Sequence, residues 1–198
     1  VAMIAVLAMM IVIIQIRIDH VRRGRRRPIE LLVTPPAPVV RFLSLGNELL
    51  AADYYWLKAV QYYGTLRHAQ ESYKQLAPVI KLVTDLDPKF EYPYHFAGLA
   101  LAVGKVGHGE IGEGIALLEK GLRNNPDSWR LACYLGFAYY FSLNDLARAG
   151  RILARAAEHP ESPAYLKQLV PRMYAHADNY DLAIDFLQTV AANERDPK

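Results

Sequence analysis

The sequence predicts an all-α chain, in which a single N-terminal transmembrane helix precedes an α-solenoid of about three to four helical hairpins. Three observations predict this. The chain opens on an unbroken apolar run, apolar residues then recur at spacings of three and four, and prolines recur at intervals typical of stacked helical repeats. Apolar residues make up 53% of the 198 residues and charged residues 22%, which disfavours both a disordered chain and a multi-span membrane protein.

Residues 1–18 are the predicted transmembrane helix. Residues 1–14 are all apolar, and Gln15 and Arg17 are the polar residues in the next four. Eighteen helical residues span about 27 Å, close to the hydrocarbon thickness of about 30 Å, and an arginine near the end can reach the headgroups. A buried core helix is the alternative. A secretory signal peptide is disfavoured, because the charges follow the apolar run and no small-residue cleavage site is visible.

Residues 19–38 are predicted to be a basic juxtamembrane segment followed by a proline-rich linker. Residues 1–27 hold six of the 23 basic residues and one acidic residue, whereas 17 basic residues face 19 acidic ones in the remainder. Arginines beside a span favour the cytoplasmic side and bind anionic headgroups. The repeat domain is therefore expected in the cytoplasm, although the opposite side stays open because residues before Val1 would affect the orientation. We interpret as membrane-surface residues, and not as a nucleic-acid site, Arg17, Arg22, Arg23, Arg25, Arg26 and Arg27.

Residues 39–198 show helical spacing and no sustained alternation of apolar and polar residues. Four prolines at positions 28, 35, 36 and 38 favour an extended spacer before this region. Apolar residues then recur at three and four, as at Phe42, Leu45, Leu49 and Leu50. Prolines that fall mostly between apolar stretches predict helix ends at positions 88, 93, 126, 160 and 163.

The proline spacing indicates a repeat, because Pro88, Pro126 and Pro160 lie 38 and 34 residues apart. Within the last interval come, in order, Trp129, Leu135, Gly136, Tyr139, Ala149, Leu153 and Ala156. This pattern resembles the tetratricopeptide repeat (TPR), a helical hairpin of about 34 residues. Gly136 is expected to let neighbouring helices approach closely, with Ala149 and Ala156 at the tight crossing.

The resemblance covers roughly residues 50–192, with an irregular helical bundle as the alternative. The preceding unit has Tyr94, Ala97 and Gly98 in its first helix, Gly114, Leu118 and Gly121 in its second, and the segment GKVGHGEIGEG as its turn. The last unit has Tyr174 in its first helix and Ala183, Leu187 and Val190 in its second, but Pro171 is expected to break or kink that first helix. The earliest unit matches most loosely, through Trp56 and Tyr63.

No motif assembles a catalytic, cofactor or metal site, and we predict a protein that is not an enzyme. The glycine-rich segment lacks the Lys-Ser/Thr ending of a phosphate-binding loop, and the six histidines show no metal-ligand spacing. A single cysteine excludes a disulfide framework and a four-cysteine zinc site. Cys133 is interpreted as a packed thiol, and Asp85 and Asp87 as helix-end and turn residues.

The resemblance implies a protein-binding scaffold whose first helices line a concave groove. We define the groove residues as Tyr54, Lys58, Gln61, Tyr92, His95, Phe96, Arg130, Tyr134, Phe137 and Tyr140. Aromatic and arginine side chains often anchor interfaces, yet each of these residues is as compatible with inter-repeat core. The clamp by which chaperone-binding members hold a terminal carboxylate is not expected, because Leu57 and Gln61 stand at its first-unit positions.

The primary hypothesis is a membrane-anchored TPR scaffold that binds protein partners, chiefly other membrane proteins, within a membrane-associated assembly. The alternative is a stably integrated accessory subunit of an energy-transducing or transport complex, structural and not catalytic. Ala2, Ala5 and Ala8 are spaced by three and would allow close packing of the transmembrane helix. An enzyme is a third reading that would need a site the sequence does not show.

Overall fold

The computed structural model describes residues 9–10, 17, 34–66, 75–103, 110–176 and 180–195. Every regular element in these ranges is a helix, which confirms the all-α prediction there. The helices are α1 (Ala37–Leu43), α2 (Glu48–Leu66), α3 (Leu76–Leu86), α4 (Glu91–Ala97) with a π-helical continuation (Gly98–Val103), α5 (Ile111–Asn124), α6 (Trp129–Leu143), α7 (Leu146–Ala157), α8 (Ala164–His176) and α9 (Tyr180–Arg195).

The described ranges contain no helix that is both long enough and apolar enough to cross a bilayer. The predicted transmembrane helix at residues 1–18 lies outside them, except for Met9, Met10 and Arg17, which are exposed. The other membrane-surface arginines and residues 19–33 also lie outside the described ranges.

The helices pack in the order in which they follow along the chain. α2 packs on α3, α4 on α5, α6 on α7, and α8 on α9. Successive pairs also touch, because α3 contacts α5 and α4 contacts α6. Most of the described helices are therefore held mainly by their neighbours in sequence.

The apolar core runs through this stack of helix pairs. Leu118, Leu131, Leu153 and Leu166 come from α5, α6, α7 and α8 in turn, and all four side chains are fully buried in one cluster. A second cluster joins α2, α3, the π-helical segment and α5, and a third joins α1 to α2 and α3. Each helix thus buries one apolar face against the next, as amphipathic helices require.

Small residues allow the closest helix contacts. A Cβ atom added to Gly136 would lie 2.5 Å from the Cγ atom of Leu153, so α6 and α7 meet where no larger residue fits. Ala149 and Ala156 are both buried on the facing helix. The expectation for Gly136 and these alanines is confirmed.

The π-helical segment positions the start of α5. A Cβ atom at Gly114 would lie 2.7 Å from the backbone nitrogen of Ala102 in that segment. The prediction that GKVGHGEIGEG is a turn is wrong over residues 111–113, which begin α5, whereas Gly114 lies in that helix as expected. Glycine allows this helix to pack directly on backbone, and residues 104–109 lie outside the described ranges.

Prolines and capping side chains set several helix ends. Pro126 lies between α5 and α6, and both Pro160 and Pro163 lie between α7 and α8, as predicted. Pro93 instead falls in the first turn of α4, where a missing N–H leaves no helical hydrogen bond unmade. Ser128 caps α6 by accepting a hydrogen bond from the Leu131 amide at 3.4 Å.

Pro171 does not break its helix, so that part of the expectation is wrong. α8 runs from Ala164 to His176 with the proline inside it. Val170, Met173 and Tyr174 around it are all buried in the core. This packing outweighs the one backbone hydrogen bond that proline removes.

The apolar residues at the start of the helical region do not form one buried face. α1 ends at Leu43, a turn follows, and α2 begins at Glu48. Phe42, Leu45, Leu49 and Leu50 are between 63% and 86% exposed, so their helical spacing does not mark a core face. The core contact of α1 is made instead by Val40, which packs with Ala52 of α2 and residues of α3.

Candidate partner-binding groove

The groove residues lie on the first helix of three successive pairs. α2 carries Tyr54, Lys58 and Gln61, α4 carries Tyr92, His95 and Phe96, and α6 carries Arg130, Tyr134, Phe137 and Tyr140. None of the ten is buried. Tyr92 is 71% exposed and Tyr54 is 55% exposed, so both are available to a partner.

Several groove residues also pack on the core. Phe96 contacts the cluster that joins α2 to α5, and Tyr134, Phe137 and Tyr140 contact the larger cluster. These four side chains have one side against the protein interior and one side open. They belong in part to the core between the helix pairs, and their open sides are the part that a partner would contact.

Aromatic contacts connect the three helices across this face. The Tyr63 and Trp56 rings of α2 meet the Phe96 ring of α4 at centroid distances of 4.8 and 5.3 Å, edge to face. The His95 ring of α4 lies 5.0 Å from the Tyr134 ring of α6. Such contacts hold the rings in place, and a preorganised aromatic surface loses less entropy on binding.

His95 is a titratable group on this face that is largely enclosed. Its side chain is 13% exposed, and its Nε2 atom lies 3.6 Å from the Glu91 carboxylate, too far for a hydrogen bond. The same carboxylate accepts a hydrogen bond from the Ser128 hydroxyl at 2.6 Å. Burial lowers the pKa of His95 from 6.5, Glu91 opposes that shift, and Arg130 adds to it. The imidazole is thus held neutral beside a carboxylate and a guanidinium.

Acidification is expected to destabilise the fold through His95. Because its folded-state pKa lies below 6.5, the unfolded chain takes up the proton first, so the contribution of this group to stability is present above that pH and is lost as the pH falls toward the folded value. A nuclear magnetic resonance titration of the His95 ring should give a midpoint below 6.5. Urea unfolding at about pH 7.5 and about pH 5.5 should show a smaller pH effect for His95→Gln than for the parent. A midpoint at or above 6.5 would contradict this prediction.

A shallow cavity adjoins the groove where α6 begins. It has a volume of about 310 Å³, and the Arg130 guanidinium stacks over the Trp129 ring at 4.7 Å from its centroid. The walls carry charges of both signs and come from helix ends and loops, among them Lys89, Glu91, Ser128, Trp129, Arg130 and His159. A cavity lined by side chains of both charges is suited to binding a peptide segment that carries polar side chains.

Two further exposed aromatic residues, one on α6 and one on α8, were not predicted. Phe141 is 64% exposed and stacks on Phe137, with ring centroids 5.9 Å apart. The four-residue spacing of this pair was a signal that could have found it. Tyr165, on α8, is 53% exposed and interacts with Cys133 of α6, so this face reaches the fourth pair.

Other residues weighed in the sequence have structural roles. Cys133 is buried, and burial raises its pKa, so it is a packed thiol as predicted. Asp85 pairs with Lys120 at 2.6 Å, and Asp87 accepts a hydrogen bond from the Lys89 amide at the end of α3, which confirms their interpretation as helix-end and turn residues. In the described ranges, no three His, Cys, Asp or Glu side chains are grouped to bind a metal ion.

The comparisons with known proteins give no family. No protein-family model matches the chain. No curated protein matches it with significance.

Proposed function

We propose that the chain is a membrane-anchored TPR scaffold, which binds a protein partner along the groove residues. The observation that carries this proposal is the set of ten side chains on α2, α4 and α6, none of them buried and most of them aromatic. The sequential packing of helix pairs and the Gly136–Leu153 contact agree with a repeat of helical hairpins. In this proposal, the helical hairpins position the groove residues, and the aromatic side chains among them anchor the partner.

The proposed anchor is the apolar segment at residues 1–18 with the arginines that follow it. In this proposal, the anchor keeps the scaffold on the cytoplasmic face of an anionic bilayer, which raises its effective concentration near other membrane proteins. Resistance of the full chain to carbonate extraction from membranes supports the anchor. Protease protection in sealed vesicles reports the side.

The alternative, an integrated accessory subunit, is favoured by one face of the last described helix. Tyr180, Ile184 and Leu187 of α9 are between 51% and 59% exposed and share one helix face. Leu187 lies on the second helix of its unit as expected, but it is exposed, whereas Ala183 and Phe186 are buried. An exposed face at this end of the stack would suit a neighbouring subunit.

Removing two exposed groove residues is expected to weaken partner capture. The variant combines Tyr92→Ala and Arg130→Ala, because both side chains are exposed and neither belongs to a core cluster. Interface anchors of these residue types support a loss of about tenfold or more in captured partner. The measurement is affinity purification of the full chain from detergent-solubilised membranes, with quantitative mass spectrometry of the proteins retained.

The matched control combines Tyr180→Ala and Arg123→Ala, an exposed tyrosine and arginine on α9 and α5. Equal retention by the parent and both variants would contradict the groove as the binding site. Loss in the α9 and α5 control alone would favour the accessory-subunit alternative.

A further inference from the structure

The corner between α1 and α2 exposes a contiguous set of large apolar side chains. We define the α1–α2 corner as Phe42, Leu43, Leu45, Leu49 and Leu50, which are between 63% and 86% exposed. Single exposed leucines are ordinary, but five within nine residues form a patch, and such patches mark contact with protein or membrane. Neither the groove nor the core clusters include these side chains.

The turn holds its outermost leucine in a strained conformation. Leu45 has a φ of 49° and Gly46 a φ of 90°, and the left-handed region is unfavourable for a bulky side chain. Local hydrogen bonds close the turn, with the Asn47 amide donating to the Ser44 carbonyl at 2.9 Å. Leu45 gains no packing from this arrangement, since it is 86% exposed. Strain kept at a surface position points to a function for that position.

Chain order places the corner next to the part of the sequence suited to lipid. Arg27 ends the basic cluster 15 residues before Phe42, and a chain of that length reaches at most about 50 Å, which limits how far the corner can lie from the headgroups. At the edge of the corner, Arg41 pairs with Glu48 at 3.5 Å. The Arg41 guanidinium thereby offsets the negative charge of Glu48, which an anionic surface would otherwise repel.

We infer that the α1–α2 corner inserts its apolar side chains at the headgroup–acyl boundary of the bilayer that holds the N-terminal segment. The inference rests on the proposed membrane anchor. It adds a second point of attachment, at which leucine and phenylalanine leave water, and a tethered patch needs little further ordering to insert. Two attachment points fix the orientation of the repeat domain and its groove relative to the bilayer.

The test measures lipid contact at Leu45 in the full chain. Cys133→Ala removes the single native thiol, and Leu45→Cys then carries an environment-sensitive fluorophore. The chain is reconstituted into vesicles of phosphatidylcholine and phosphatidylglycerol, with and without brominated acyl chains. The matched control carries the probe at Leu143→Cys, a leucine at the end of α6 that is 51% exposed. Brominated lipid is expected to quench the Leu45 probe at least about twofold more than the Leu143 probe. Circular dichroism checks that both labelled chains keep the helicity of the parent.

Three results would overturn the inference. Quenching of the Leu45 probe that is as weak as that of the Leu143 probe would show that the corner stays in water. A blue-shifted Leu45 probe without quenching would show that protein, either residues 1–33 or a partner, covers the corner. Carbonate release of the chain from the vesicles would reject the anchor as well, whereas retention with an unquenched Leu45 probe rejects the corner alone.

Discussion

Replacing Leu153 by alanine is expected to lower the free energy of unfolding by about 2–5 kcal/mol, the range for a leucine truncated in a packed core. Leu153 is fully buried on α7 and lies against Gly136 of α6. Its removal leaves a cavity at the crossing of the two helices. Urea denaturation followed by circular dichroism measures the loss. Leu143→Ala, at an exposed leucine, is the control and should cost far less.

A double-mutant cycle tests the geometry of this crossing. Gly136→Ala alone would place a Cβ atom 2.5 Å from the Leu153 Cγ atom, and overpacking of this kind costs about 1–3 kcal/mol. In the Leu153→Ala background that clash is gone, so the double variant should be more stable than the sum of the single effects predicts by at least about 0.5 kcal/mol. Strict additivity would show that the two residues do not meet as described.

Gly114→Ala is expected to destabilise the chain by about 1–3 kcal/mol. The new Cβ atom would lie 2.7 Å from the Ala102 backbone nitrogen and 2.9 Å from its Cβ atom. A flexible side chain could rotate away, but backbone cannot, so α5 must move off the π-helical segment. The midpoint of urea denaturation should fall.

Gly112→Ala is the matched control, two residues earlier in the same helix. A Cβ atom there meets nothing within 4 Å, and alanine favours helix over glycine by up to about 1 kcal/mol. This variant should keep or raise the stability. Equal losses in both variants would show that contact with Ala102 does not account for the effect at Gly114.

The hairpin of α6 and α7 was predictable because the residues that shape it lie close together in the sequence. Gly136, Ala149 and Ala156 stand at spacings that are meaningful only where two helices cross, and α6 and α7 cross there. Prolines between helices were equally informative, because a missing N–H limits where a helix can continue. The π-helical segment carried no comparable signal.

The features that the sequence did not predict depended on tertiary packing. Phe42 and Leu49 have helical spacing, but spacing does not state whether another helix covers that face. Pro171 stays within α8 because its neighbours are buried, which the sequence around a proline does not reveal. The sequence predicted that the groove residues lie on helices, and they do. That none of them is buried, and that several of them contact the core, followed only from the packed structure.

The order in which the helices pack has a consequence for how the chain folds. Because most of the described helices make most of their contacts with the helices next to them in sequence, few distant segments must meet before stabilising contacts form, and the entropy of closing long loops is largely avoided. Folding can start at any well-packed helix pair and extend from there in either direction along the chain. Within the described part of the chain, the first and last helices have neighbours on one side and are expected to contribute least to cooperativity, whereas loss of a middle pair would divide the described array in two.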